Sequence, residues 1–174
     1  LARSIVHSIS SLLGNCLASG VILCLIFNGP ASAFEARLER VVDGDSLTVR
    51  LPGGTEEVRL IGLDAPELAQ EWGEEAKAFS ESFCSGAALT LSFDRELRDR
   101  YGRLLAYARC DGRLLNEALL KAGLAVTLPV KPNVSLARRF KKAEKEAKAE
   151  KRGFWARGGL ETSPSAFRRR HPRR

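Results

Sequence analysis

Between Val41 and Glu67 the chain reads VVDGDSLTVRLPGGTEEVRLIGLDAPE. Four charged side chains in that run have the types needed for one reaction centre. Asp45 and Asp64 offer hard carboxylate oxygens, which together with a backbone carbonyl and waters are what Ca²⁺ takes. Arg59 offers a guanidinium, whose fork of N–H donors matches phosphate oxygens. Glu67 is a candidate base, able to take a proton from water if held within reach. Downstream, Arg103 shares an alternating face with Leu105 and Tyr107, as Arg59 does with Ile61 and Leu63. Each feature also has an ordinary reading. Asp43-Gly44-Asp45 suits a tight turn, Asp64-Ala65-Pro66-Glu67 suits a loop start, and Arg59 could pair with Glu57 two residues back. Two carboxylate clusters at neighbouring strand ends, beside two arginines on apolar faces, point instead to a site that grips a phosphate diester.

Other chemistries are excluded by what is missing. The two histidines, His7 and His171, lie at the chain's extremes, so no Ser-His-Asp or Cys-His arrangement is available in the body. The acidic spacing is not an EF-hand, and there is no zinc pattern or phosphate-binding glycine loop.

The strands and helices around these residues follow from alternation and punctuation. Glu35 to Asp43 and Ser46 to Leu51 read as strands. Pro52-Gly53-Gly54 turns the chain into a third, Thr55 to Leu63, completing a meander. Residues 64–73 read as a loop. Glu74 to Cys84 places Ala76, Phe79 and Phe83 at helical spacing, and Ser85-Gly86 stops it. Ala88 to Phe93 is a fourth strand, Asp94 to Gly102 a charged loop, and Arg103 to Arg109 a fifth strand. A short helix carries Leu115, Ala118, Leu119 and Ala122 and ends at Gly123. After an irregular stretch from Leu124 to Asn133, Ser135 is placed as the N-cap of a longer helix to Arg152, with Leu136, Phe140, Ala143 and Ala147 as its apolar stripe. Its other face, alternating Lys and Glu, is read as solvated. Phe154 and Trp155 are expected to fold back onto the body. Five short strands with helices after the third and fifth predict an α+β fold, mostly β barrel: a five-stranded Greek-key OB-fold with three helices.

The termini read differently. After Arg3 no charge occurs before Glu35; residues 12–27 are nearly all apolar or small, and Asn28-Gly29-Pro30 and Ala31-Ser32-Ala33 follow. That is the pattern of a secretory signal cleaved after Ala33, with an uncleaved anchor as the alternative. The domain is expected over residues 34–157, and residues 158–174 as a basic, disordered tail. The tail is either a solvated arm or a source of salt-sensitive affinity for nucleic acid. Of four cysteines only Cys84 and Cys110 lie beyond the signal, and in an oxidising compartment they could pair; two separate buried thiols are the alternative. The chain of 174 residues carries a formal net charge of +7. It is long enough for one domain with a real core, and its charge favours an anionic partner, nucleic acid before a membrane surface.

These motifs resemble the staphylococcal nuclease family. VVDGDSLTV, VRLIGLDAPE, DRYGRLLAY, DGRLLNEALLKAGLA and KPN occur in the family's order, over about residues 36 to 156. The resemblance implies Ca²⁺-dependent hydrolysis of DNA and RNA, single-stranded or locally open, leaving 3′-phosphates. By the same resemblance Asp45 and Asp64 are metal carboxylates and Ala65 supplies a backbone carbonyl. Glu67 is the general base, Arg59 and Arg103 are the phosphate-clamping arginines, and Arg100 and Tyr101 contact substrate. The chain departs from the family pattern in a shorter loop between Glu67 and Ala76 and in Leu128 and Val130, which stand where tyrosines help hold the nucleotide. A secreted or periplasmic monomer with no lasting membrane association is the expectation. A non-catalytic nucleic-acid-binding OB module of the cell envelope is the alternative. A basic envelope protein that holds anionic lipid through its arginine-rich tail is a third reading.

Overall fold

The computed structural model describes residues 33–172; the signal read over residues 1–33 falls almost wholly outside them. Alternating residues build the first three strands: β1 (Phe34–Asp43), β2 (Ser46–Leu51) and β3 (Gly54–Leu60). Leu47 and Val49 of β2 and Val58 and Leu60 of β3 are buried, while Thr55 and Glu57 lie on the opposite side of β3. β5 (Leu89–Arg98) pairs antiparallel with β1 and with β6 (Leu104–Cys110). β6 then pairs parallel with β3, Arg59 standing opposite Leu105, which closes a five-stranded mixed barrel. This is the expected OB-like α+β architecture. A two-residue strand, β7 (Arg113–Leu114), extends the sheet from β6.

The expected third strand, Thr55 to Leu63, is in fact two. It bends at Ile61 and resumes as β4 (Gly62–Asp64), which pairs with β8 (Val126–Leu128) outside the barrel. Gly62 permits the bend: its φ is +85°, and a Cβ there would stand 2.5 Å from the ring of Phe140. Arg59 therefore does not share a strand face with Ile61 and Leu63. The stretch from Leu124, expected to be irregular, contributes β8, which pairs antiparallel with β4.

Helix α1 (Gly73–Cys84) buries Gly73, Ala76, Ser80 and Cys84, with Phe79 and Phe83 stacked half-buried beside them. Its last residue is joined to the end of β6 by the Cys84–Cys110 disulfide. Helix α2 (Leu115–Lys121) ends at Gly123 as expected. Helix α3 (Ala137–Ala149) is shorter than expected and is not capped by Ser135. The Ser135 N–H and hydroxyl instead donate to Asp94 at 3.0 and 2.8 Å. Asp94 to Arg98, expected in a loop, continue β5 on its exposed side, and pairing resumes at Arg98 after a bulge. A 3₁₀ turn over Gly153–Arg157 buries Phe154 completely. In place of an unstructured tail, Pro164–Arg170 form a fourth helix, α4, so the three-helix expectation falls one short. Ser163 caps it by accepting from the Ala166 N–H, and Pro164 sits in its first turn. Among the described residues no helix is long and apolar enough to cross a membrane.

Candidate active site

The turn between β1 and β2 puts Asp45 at the barrel's rim. Gly44 is needed there for space: a Cβ would stand 2.7 Å from that of Ala76 and 2.8 Å from that of Ala65. Helix α1 thus packs directly on the turn, and the Ser80 hydroxyl donates to the Gly44 carbonyl at 2.8 Å. Asp45 is 4% exposed. Its Oδ2 accepts from the Ala65 N–H at 2.7 Å, its Oδ1 accepts from the Ser46 hydroxyl, and its own N–H donates to Asp43 Oδ1.

Asp64 reaches the same place by the bend after β3. The bend is held from inside by Asn116, fully buried on α2, whose amide donates to the Ile61 carbonyl at 3.0 Å and accepts from the Ala108 N–H. Arg59, at the end of β3, then lies between the carboxylates. Its Nη2 is 3.1 Å from Asp45 Oδ2, 3.0 Å from Asp64 Oδ1 and 3.1 Å from the Leu63 carbonyl; its Nη1 donates to the Leu60 carbonyl. The pairing with Glu57 is not made: Arg59 turns to the site.

Asp43, Asp45 and Asp64 crowd this small volume, with Arg59 between Asp45 and Asp64. Burial pushes the Asp45 carboxyl up to about 7; Arg59 opposes the rise, and Asp43 and Asp64 add to it. The donor set fits a hard divalent cation. Two carboxylates reach one Arg59 atom, so they can reach one ion, and the surplus negative charge is what an ion would offset. Among the described residues no three His, Cys, Asp or Glu side chains form a ready cage. Two carboxylates completed by a carbonyl, water and a substrate phosphate are the sparser arrangement such cations accept. Of Ala65, the hydrogen bond described is the one its N–H makes to Asp45.

Glu67 stands at the start of the loop leading to α1. Its Oε1 accepts from Arg168 Nη1 at 2.7 Å, while Arg168 Nη2 lies 3.0 and 2.9 Å from the two oxygens of Asp64. One tail arginine thus joins Asp64 to Glu67. Arg103, just before β6, belongs by alternation to the face of Arg59 on the neighbouring strand. Its guanidinium is held by Asp99, at 2.8 Å through Nε and 2.7 Å through Nη2, and lies over the Tyr101 ring. Arg100 also lies over that ring and donates to the Tyr101 hydroxyl at 2.6 Å. The structure therefore brings Asp45, Asp64 and Arg59 into direct contact and adds Glu67 through Arg168. Arg103, Arg100 and Tyr101 form a cluster of their own with Asp99 just before the start of β6.

Sequence reasoning missed Arg168 and Asn116. Arg168 is one of three consecutive arginines, and only the Ser163-Pro164 helix start hinted that any would be fixed in place. Asn116 falls on the expected short helix, with no local mark that its amide would serve the backbone of Ile61 and Ala108.

Comparison with known proteins shows which family the chain resembles. The family model described as Staphylococcal nuclease homologue matches residues 57–157. The SPbeta prophage-derived endonuclease YokF of Bacillus subtilis (strain 168) is 40% identical over 136 residues, 74% of this chain and 46% of that protein. Endonuclease YncB of the same organism is 37% identical, over 72% of this chain and 64% of its own length. The thermonuclease of Staphylococcus hyicus is 35% identical, over 67% of this chain and 73% of its own. The chain thus spans about half to two thirds of the two Bacillus relatives.

Proposed function

The chain belongs to the staphylococcal nuclease family, and from that premise we propose that it is an exported, Ca²⁺-dependent nuclease. It hydrolyses phosphodiester bonds of DNA and RNA, preferring single-stranded or locally open substrate, acts as a monomer and leaves 3′-phosphate ends. The observation that carries this reading is the meeting of Asp45 and Asp64 on one nitrogen of Arg59. Asp45, Asp64 and the Ala65 carbonyl would hold the cation, which when bound supplies positive charge to a diester phosphate and its departing oxygen.

The rest is done by the chain's own groups. Glu67 takes a proton from a water molecule as that water's oxygen attacks phosphorus. Arg59 donates to non-bridging oxygens, whose charge grows as the five-coordinate phosphorus forms. Arg103 supplies a second guanidinium when phosphate displaces Asp99. The bond from phosphorus to the 5′ oxygen breaks, that oxygen leaves and takes a proton from solvent water, and phosphate stays on the 3′ side. Tyr101, 69% exposed, gives a base a ring to stack on, and Arg100 adds charge beside it. Leu128 and Val130 are exposed apolar side chains, so they offer no hydroxyl contact to the nucleotide.

Export is supported by the signal pattern of residues 1–33 and by the Cys84–Cys110 bond, which suits an oxidising compartment. The test is a digestion of single-stranded DNA, duplex DNA and RNA by the full chain with Ca²⁺, with Mg²⁺ and with chelator. Cleavage with Ca²⁺, lost with chelator, and products that become end-labelled only after phosphatase removal of 3′-phosphate are expected. Nucleic acid retained but intact with Ca²⁺ would instead favour the binding module.

A further inference from the structure

The C-terminal helix reaches into the site it follows. Arg168 lies 101 residues from Glu67 and 104 from Asp64 along the chain, yet its guanidinium contacts both carboxylates. It spans Asp64 with one nitrogen, 3.0 and 2.9 Å from the two oxygens, and reaches Glu67 with the other. Asp64 is 2% exposed, so a charge-assisted pair there is shielded on the carboxylate's side. The Arg168 side chain keeps 39% of its exposure, so it sits at the mouth of the site with a way out.

The segment carrying it is tethered. Gln70 donates to the Thr162 carbonyl at 2.6 Å, Arg157 pairs with Glu71 at 3.0 Å, and Arg170 donates to the Thr162 hydroxyl. The first two tethers fall on the loop that carries Glu67 into α1. Tail and catalytic loop are thus linked by contacts other than Arg168 itself.

A guanidinium on Asp64 and Glu67 uses the oxygens that the proposed function assigns to a cation and to water. Resting on that reading, we propose that Arg168 is an internal competitor for the divalent-cation site: the tail helix closes the centre by ion pairing, and the cation opens it by displacing Arg168. The closed state offsets the site's surplus negative charge and keeps Glu67 from acting as a base. The open state frees α4, with Arg169 and Arg170 beside it, to meet the phosphate backbone of a substrate.

The competition is tested by calorimetric titration of Ca²⁺ into the full chain, Arg168→Ala and Arg169→Ala. Arg169 is exposed on the same helix and carries the same charge. Competition predicts Ca²⁺ binding about three- to tenfold tighter in Arg168→Ala, with Arg169→Ala near the parent. A general charge effect would tighten both variants alike and overturns the proposal. Equal affinity in all three also overturns it, with the cation site intact; no binding by any of them overturns the cation site itself. Trypsin provides a second readout: Ca²⁺ should raise cleavage after residues 168–170 in the parent chain. Unchanged protection at saturating Ca²⁺ would show that the helix does not leave.

Discussion

Arg59 and Asp64 are five residues apart and meet at 3.0 Å because the strand bends between them at Gly62. The same Arg59 nitrogen serves Asp45 and the Leu63 carbonyl, so the guanidinium braces the carboxylate pair, and the proposed mechanism asks it to donate to phosphate as well. Lysine keeps the charge and loses the fork, so it cannot serve those partners together. Arg59→Lys should lower turnover by about 10²-fold or more, the scale of losing a transition-state donor. It should cost about 1–3 kcal/mol of stability, because buried carboxylates lose a partner. Initial rates and denaturant melts on the same preparation check both numbers. Turnover within a few-fold of the parent would remove Arg59 from the phosphate clamp.

Asn116 supports that bend from the core. Its amide answers the carbonyl of Ile61 and the N–H of Ala108, two backbone groups that water does not reach. Asn116→Leu fills a similar volume and orphans both, a mechanism that costs about 2–4 kcal/mol. The melting midpoint should fall accordingly. The loss should exceed that of Asn116→Asp at a pH low enough to keep the new carboxyl protonated, since an acid can still accept and donate.

Where local signals ruled, the sequence was legible. Strand Ser46–Leu51 and the start of α1 follow from alternation and from the glycine and proline punctuation around them. Asp45, Arg59, Asp64 and Glu67 could be seen as a group because they fall within one run of the chain. Distant partners hid the remainder. The 55–63 strand splits because Phe140, on a helix 78 residues beyond Gly62, needs the space over that glycine. Ser135 looks like a helix cap, yet its hydroxyl goes to Asp94, 41 residues back. Asp94 to Arg98 looked like a loop because nearly every residue there is charged, and a strand with an exposed face tolerates that. Arg168 had no local mark to set it apart from Arg169.

Asp94 gives a pH dependence with a definite sign. Burial alone would raise its pKa; hydrogen bonds from the Ser135 N–H and hydroxyl and from Tyr107 outweigh that and lower it. A carboxylate depressed in the folded state adds stability that is fully present above its unfolded pKa of about 3.9. That stability is lost as pH falls through the lower folded value. Asp94→Asn should be less stable than the parent by about 1 kcal/mol near neutrality, allowing for solvent screening at a half-buried site. The gap should begin to close below about pH 4 and narrow further as pH falls. Denaturant melts of both chains from pH 7 to pH 3 check it. A gap that stays constant across that range would mean the ionised carboxylate is not what ties β5 to the start of α3.

Substitution of Glu67 tests whether catalysis separates from binding. It lies at the rim, 15% exposed at its side chain, on the loop that leads into α1 and beside Asp64 through their shared contact with Arg168. Glu67→Gln keeps length and shape, can still accept a hydrogen bond, and has no basic oxygen pair with which to take a proton from water. Loss of a positioned general base costs about 10²–10⁴-fold in turnover. Binding of single-stranded DNA should change little, because affinity for the backbone comes from arginines that remain. Cleavage rates under saturating Ca²⁺, with affinities measured by fluorescence anisotropy in the same buffer, decide it. A parallel fall in both would make Glu67 a binding residue; a parent-like rate would leave proton removal to solvent; a lost rate with retained affinity assigns the proton to this carboxylate.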